Sequence, residues 1–325
     1  MMREWHWITN VPNGTPPLPD LALFTDPGAG CTVKRNPFRS VRRVTAPDGS
    51  VFFVKHDVPR TAGQIFKEAV RPKSLSEYRS GKLLRSAGIP CVSFVALGRR
   101  FPESVLVSCE LDGYISSLEF RYTASEEPLH RFLRALADLV RRMLEAKIIH
   151  PDFHAGNVMV RPDEPERLCL LDPFGVRRSL WTPFRADCRV FCDFADRISP
   201  DEAKVLFSIM GADPALWPEL QARARARILR EWPRRAKQIL GGKSKFLRME
   251  MLGNDVYLIR NTPWYTEQPF FLEKTVSEEM DPGQAEKIWL DSFLSTMLNE
   301  KQTRIPCAYR PCGDRSFLYY DREDS

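Results

Sequence analysis

From Cys31 onward, short apolar runs alternate with polar turns in the manner of half-buried strands. Residues 31–35 and 41–45 read as strands, and Pro47-Asp48-Gly49-Ser50 separates the second from Val51-Phe52-Phe53-Val54-Lys55. A Pro-Asp-Gly between two apolar runs predicts a hairpin. Residues 74–87 change to a helical pattern, which Gly88 and then Pro90 bring to an end. Two further strands near 92–97 and 104–108 complete a small sheet. Pro128 opens a long helix in which Leu129, Phe132, Leu133, Leu136, Val140, Met143 and Leu144 recur at three- and four-residue steps, so this stripe must face a core.

After that helix come Ile148-Ile149-His150, a polar loop, Val158-Met159-Val160, a turn, and Leu168-Cys169-Leu170-Leu171 ending at Asp172. This is a two-strand ribbon with polar residues at its mouth. From residue 185 to about 240 the pattern is helical again. The Arg-Ala alternation over 222–227 reads as a solvated helix face rather than a nucleic-acid arm.

Composition narrows the class without naming it. A chain of 325 residues has room for two or three compact units. With 43% hydrophobic and 28% charged residues it is an ordinary globular chain, neither disordered nor fibrous. No run approaches the ~18 apolar residues of a membrane-spanning helix. The first 24 residues carry Trp5, His6 and Trp7 and a Pro-rich stretch, without the pattern of a secretion signal, so a cytoplasmic protein is expected. The eight cysteines include no Cys-x-x-Cys pair and no zinc spacing, and read as reduced, small apolar packers. A net charge of +6 suits an anionic substrate or the negative inner face of a membrane, and no motif supports nucleic acid as a partner.

The candidate chemistry lies between Lys55 and Asp172. Phosphoryl transfer needs a positioned acceptor hydroxyl, a cation for the phosphates, and oxygens to hold magnesium. His150-Pro151-Asp152-Phe153-His154-Ala155-Gly156-Asn157 puts Asp152 five residues before Asn157, the Asp-x-x-x-x-Asn spacing of a kinase catalytic loop. In that reading Asp152 is the base for the acceptor, and Asn157 and Asp172 are the metal ligands. His154 reads as a residue that shapes the loop by bonding its backbone. Lys55, at the end of an apolar strand, projects toward phosphates. Glu77 is its natural ion-pair partner, although Ser74-Leu75-Ser76-Glu77 is equally a capping box at a helix start.

Together these elements resemble the protein-kinase-like superfamily. Asp-x-His-x-Gly-Asn over 152–157 is similar to its small-molecule and sugar kinases. Glu77-Tyr78 followed by Leu83-Leu84-Arg85-Ser86-Ala87-Gly88-Ile89-Pro90 resembles the lipopolysaccharide kinases that act on Kdo or core heptose, over about residues 33–209. The resemblance implies an α+β, two-lobed kinase-like fold, with a small antiparallel sheet plus helix, a larger mainly helical lobe, and a C-terminal extension. Its boundaries would be an extension over 1–30, an N-lobe over 31–111, a C-lobe over 112–242 and a tail over 243–325.

The resemblance further implies ATP and Mg2+ as cofactors, a hinge near Glu110 to Gly113 with Glu110 and Leu111 bearing on the nucleotide, and a lipid-linked sugar as acceptor. Such an acceptor would bring peripheral contact with the inner face of the inner membrane. The chain departs from the pattern in two places. Asn36-Pro37-Phe38-Arg39-Ser40 stands where a Gly-rich loop is usual, leaving Arg39 or Ser40 to grip phosphate. The metal triplet reads Asp172-Pro173-Phe174, in which Pro173 fixes its own φ and restricts its neighbour. Arg177, Arg178, Arg185 and Arg189 either meet an anionic acceptor or form a solvated basic face. A soluble, aminoglycoside-like acceptor and a pseudokinase without turnover are the rival readings.

The tail faintly repeats the front. Val256-Tyr257-Leu258-Ile259-Arg260, a helical stretch with Ala285, Glu286 and Trp289, and Ile305-Pro306-Cys307 echo Val51 to Lys55, the helix of Glu77, and Ile89-Pro90-Cys91. Two readings follow: a degenerate second small lobe with Arg260 in the place of Lys55, or an appendage that buttresses the rest or touches a partner.

Overall fold

The computed structural model describes residues 4–11, 16–179, 188–195, 197–244, 247–253, 255–260, 275–298 and 304–321. Its contacts divide the chain into two units, Met1–Asp193 with Pro200–Pro214, and Phe194–Ser199 with Ala215–Ser325. Among the described residues the fold is mixed: eight α-helices and four sheets whose strands pair antiparallel. That is consistent with a kinase-like fold. No helix among these residues is long and apolar enough to cross a membrane.

The first unit opens with β1 (His6–Thr9), α1 (Ala22–Thr25), β2 (Cys31–Arg35), β3 (Arg39–Thr45) and β4 (Val51–Asp57). The hairpin expected at 47–50 joins β3 to β4. Gly49 takes φ 86° there, a conformation that suits a residue without Cβ, and Ala46 N–H donates to the Ser50 carbonyl at 2.8 Å. Next come α2 (Ala62–Val70), which starts from a capping box of Thr61 and Gln64, and α3 (Lys73–Ser86). β5 (Phe94–Arg100) and β6 (Glu103–Cys109) complete a sheet of order β1-β5-β6-β4-β3-β2.

Side chains alternate across this sheet. Val44, Phe52, Val54, Val105 and Val107 form its apolar core, closed by Phe24 and flanked by Trp5, Trp7 and Leu21. Residues set apart by the sequence as an extension therefore pack as part of the sheet. Arg42 holds them there by donating to the carbonyls of Phe24 at 2.8 Å, Ala29 at 2.7 Å and Asp26.

On the other face lies α3. Its buried positions include Ser74, Glu77, Tyr78, Ser80, Gly81 and Leu84, at helical spacing but largely polar. A helix that buries polar groups must satisfy them inside the protein, and the partners define the candidate site.

The chain continues through β7 (Ile115–Ser116), α4 (Ser117–Thr123), α5 (Glu126–Glu145) and β8 (Ile148–Ile149) to β9 (Val158–Arg161), β10 (Glu164–Leu170), β11 (Arg177–Arg178) and α6 (Pro200–Ile209). The apolar stripe expected on α5 is buried from Leu129 to Met143, and α5 packs against β10 and α6. The two-strand ribbon is β9 with β10, in register Val158 to Leu170 and Val160 to Leu168, and β7 joins it as a third strand.

The second unit carries α7 (Leu216–Leu240), β12 (Leu247–Leu252), β13 (Asp255–Arg260), β14 (Thr275–Met280), α8 (Pro282–Leu298), β15 (Ala308–Cys312) and β16 (Arg315–Asp321). The Arg-Ala stretch on α7 is mostly exposed, as a solvated face requires. Trp289 and Phe293 on α8 pack into a core with Leu258, Tyr309 and Leu318.

Strand order separates this unit from the first. Its sheet runs β12-β13-β15-β16-β14, so β13 pairs with the strand that follows the helix, whereas β4 pairs with β6 and leaves β5 beyond it. The longer spacing between Arg260 and Ile305 holds an additional strand, β14. Of the expected second small lobe, the succession of strand, helix and strand recurs, in a different strand order. Arg260 is buried, and its guanidinium donates to Ser292 Oγ at 2.5 Å and Thr296 Oγ1 at 3.1 Å, 3.9 Å over the Phe293 ring.

Gly81 sets how closely α3 approaches the sheet. A Cβ there would stand 2.8 Å from two atoms of the buried Phe94 ring and 3.9 Å from Pro173. In an exposed helix, Gly to Ala stabilises by about 1 kcal/mol. Here the sign should reverse: Gly81→Ala is expected to destabilise by about 1–3 kcal/mol, the cost of overpacking, read as a lower midpoint in chemical denaturation.

Candidate active site

β4 ends by sending Lys55 toward α3. Lys55 Nζ donates to Glu77 Oε2 at 2.9 Å and to Asp172 Oδ1. The other oxygen of Glu77 accepts from Arg39 Nη1 at 2.5 Å, and Arg39 Nε and Nη2 reach Asp57 Oδ1 and Oδ2 at 2.5 and 2.6 Å. Ser74 Oγ donates to Asp57 Oδ2 at 2.7 Å. Five charges therefore run in one chain, Asp57, Arg39, Glu77, Lys55, Asp172, with Arg39, Asp57 and Glu77 buried.

Alternation of sign keeps them charged. Burial alone would push the Lys55 ammonium down, but Glu77 and Asp172 more than offset it and hold it above its ordinary value. Burial likewise pushes Asp172 up, and Lys55 outweighs it, so its carboxyl lies below the usual range.

This geometry decides between the two readings of Glu77. The residue at the N-cap position of α3 is Pro72, with no side-chain cap, and Ser74 and Glu77 turn to the sheet instead. The capping box does not form because both side chains meet stronger, buried ionic partners. Two residues expected to grip phosphate lie as follows. Arg39 is buried, with its Nε and both terminal nitrogens on carboxylates. Ser40 pairs with His56, one residue out of step with Lys55, and period-two alternation puts its hydroxyl on the opposite face. Lys73, which the sequence reading passed over, lies 5.4 Å over the Phe174 ring. Burial and then Arg39 lower its pKa, against the pull of Glu77, Asp57 and Asp172.

The second half of the site is the loop after β8. Asn157 Nδ2 donates to the Asp152 carbonyl at 3.0 Å and to Asp152 Oδ2 at 3.3 Å, so its Oδ1 is the atom left for a cation. Leu171 N–H donates to the Asn157 carbonyl at 2.9 Å, which puts Asp172 beside Asn157. Asp172 takes φ 44°, a left-handed conformation that Asp tolerates better than most residues, immediately before Pro173. Asp152 is exposed, its carboxylate open to an incoming group.

The loop is pinned from outside. Ser117 Oγ donates to the Ala155 carbonyl at 2.7 Å, and Asp193 Oδ2 accepts from Ala155 N–H at 2.8 Å. His154 Nδ1 accepts from Gly156 N–H at 3.1 Å, the backbone-shaping role expected of it. His150 is buried against Phe153, and burial lowers its pKa, so it stays neutral at physiological pH.

Asp57, Lys73 and Asp193 escaped the sequence reading because each gains meaning only from a partner distant in the chain. The residues expected at a hinge lie on the connection from β6 to β7. The Glu110 carboxylate pairs with Arg43 at 2.8 Å, and Leu111 opens a turn with Gly113 at φ 73°. Arg177 and Arg178 are exposed on β11, and Arg185 lies outside the described residues.

The Arg39 network yields a test. Removing the cation leaves the buried Asp57 carboxylate without its cation and Glu77 with Lys55 alone, and breaking a buried pair typically costs about 3–5 kcal/mol. Arg39→Gln should therefore lower unfolding stability by about that amount, measured by urea denaturation. A loss no larger than that of an exposed arginine would show that Asp57 and Glu77 are not held by it.

No curated protein gives a significant match to the chain. Residues 36–179, the stretch that contains Arg39, Lys55, Glu77, Asp152, Asn157 and Asp172, match the lipopolysaccharide kinase (Kdo/WaaP) family.

Proposed function

We propose that the chain is an ATP-dependent phosphotransferase that phosphorylates a sugar hydroxyl of lipopolysaccharide core or a related glycolipid, at the inner face of the inner membrane. The observation that carries this reading is the single polar cluster in which Lys55, Asp172, Asn157 and Asp152 follow one another through direct or neighbouring contacts. The family match over residues 36–179 supports the reaction class and a sugar as acceptor. In this reading the small sheet with α3 forms one lobe and the units around α5 the other.

The residues suit the cofactors. Asn157 Oδ1 and the ionised Asp172 carboxylate are hard oxygen donors of the kind Mg2+ takes one or two of while keeping water and phosphate ligands. Held there, Mg2+ would supply charge neutralisation for the transferring phosphoryl group. Lys55 stays protonated and offers its remaining N–H to phosphate oxygens, while Glu77 fixes its direction. Asp152 orients the acceptor hydroxyl and takes up its proton, and the bond from Asn157 Nδ2 sets the angle of its carboxylate. Arg39 and Asp57 lock Glu77 in turn.

Mg-ATP turnover against lipopolysaccharide-core acceptors, read by mass shift, tests the assignment. Asp152→Asn is expected to lower phosphate incorporation by roughly 10²–10⁴-fold, and Asp172→Ala to abolish metal-dependent turnover. Equal incorporation by both variants and the wild type would defeat it.

A further inference from the structure

A concavity lies in the first unit against α3, lined by residues of that helix other than Glu77. It has a volume of about 440 Å³ and an apolar floor of Leu75, Leu83 and Val176, ringed by Arg71, Arg79, Arg177 and Arg178. The size falls in the roughly 300–1,000 Å³ range of small-molecule sites. None of the four guanidinium groups is paired with a carboxylate among the described residues, whereas Arg39, Arg43, Arg131 and Arg141 on the same unit each have one. Four uncompensated cations around one apolar floor repel one another, a cost that an anion would relieve.

The rim adds a second character. Val70 lines the same concavity, and Phe66, one turn earlier on α2, is its neighbour on that helix; each is 69% exposed. Apolar side chains this exposed, directly followed by Arg71, describe a surface for an amphipathic ligand, with anionic groups inward and apolar chain against α2.

The concavity is close to the candidate base. A Cβ on Gly175 would stand 3.2 Å from Pro151, which precedes Asp152, and 4.0 Å from Arg71 Nη2. Arg71 itself stacks over Phe174 at 5.4 Å. Resting on the phosphotransferase reading above, we infer that this pocket binds the phosphate groups already carried by a glycolipid acceptor, and that Phe66 and Val70 take its apolar part. Arg71 and Arg177 are specificity-determining residues for the acceptor: they touch its anionic groups, not the transferred phosphoryl.

Binding without nucleotide tests this separately from turnover. The probes are phosphatidylcholine vesicles doped with lipid A and the same vesicles after phosphatase treatment, followed by co-sedimentation. Wild type is expected to bind the phosphorylated vesicles at least tenfold more tightly, with affinity falling as salt rises. The double variant Arg71→Gln/Arg177→Gln should weaken binding by about tenfold per arginine. Phe66→Ser/Val70→Ser, confined to exposed side chains, should weaken vesicle binding while leaving the salt dependence in place.

Equal binding to both vesicle types, or arginine variants that bind as wild type, overturns the inference. Tight, phosphate-dependent binding with no phosphate transfer would sink the kinase reading alone. Transfer with an unchanged acceptor KM in the arginine variants would sink the pocket alone.

Discussion

A lysine cannot stay charged and aimed inside a protein unless opposite charges surround it, and those charges need partners of their own. In this chain the requirement is met by a run of alternating sign from Asp57 through Arg39, Glu77 and Lys55 to Asp172. The run crosses from β3 and β4 to α3 and on to the segment after β10, so three separately coded pieces of chain are tied by one set of ionic contacts. The polar inner stripe of α3 and the glycine at position 81 make sense in that light: the helix must come close enough for Glu77 to touch both cations. A buried run of this kind contributes little net stability against an apolar alternative, and its value lies in fixing direction.

Local pattern was enough to read the hairpin of β3 and β4, the stripe of α5, and the ribbon that delivers Asp172, because each rests on neighbours in sequence and on periodicity. Asp152 and Asn157 were legible for the same reason, lying within one loop. The places of Arg39 and Ser40 were not legible, since nothing local reports which face of a strand is inside. Only the pairing of Arg39 with Asp57, and of Ser40 with His56, reveals it. Residues 4–30 gave no periodicity, yet Phe24 is fully buried, placed by the reach of Arg42 to three backbone carbonyls.

In the second unit the sequence echo extends to the succession of elements but not to the strand order. Arg260 and α8 recur at the places of Lys55 and α3, but β14 enters before the helix and changes which strands are neighbours. Arg260 donates to Ser292 and Thr296 and lies over the Trp289 and Phe293 rings. A lysine flanked by two carboxylates, as Lys55 is by Glu77 and Asp172, can exchange one of them for an incoming anion and metal.

The account stands or falls on whether Asp172 is released from Lys55 when the site fills. A crystal structure with magnesium and a non-hydrolysable ATP analogue measures it directly. The predicted result has Lys55 Nζ on phosphate oxygens with its Glu77 contact kept, Asp172 and Asn157 on the metal, and Arg39 unmoved between Asp57 and Glu77. Nucleotide bound away from Lys55, or a Lys55 to Asp172 pair that persists beside bound metal, would contradict it.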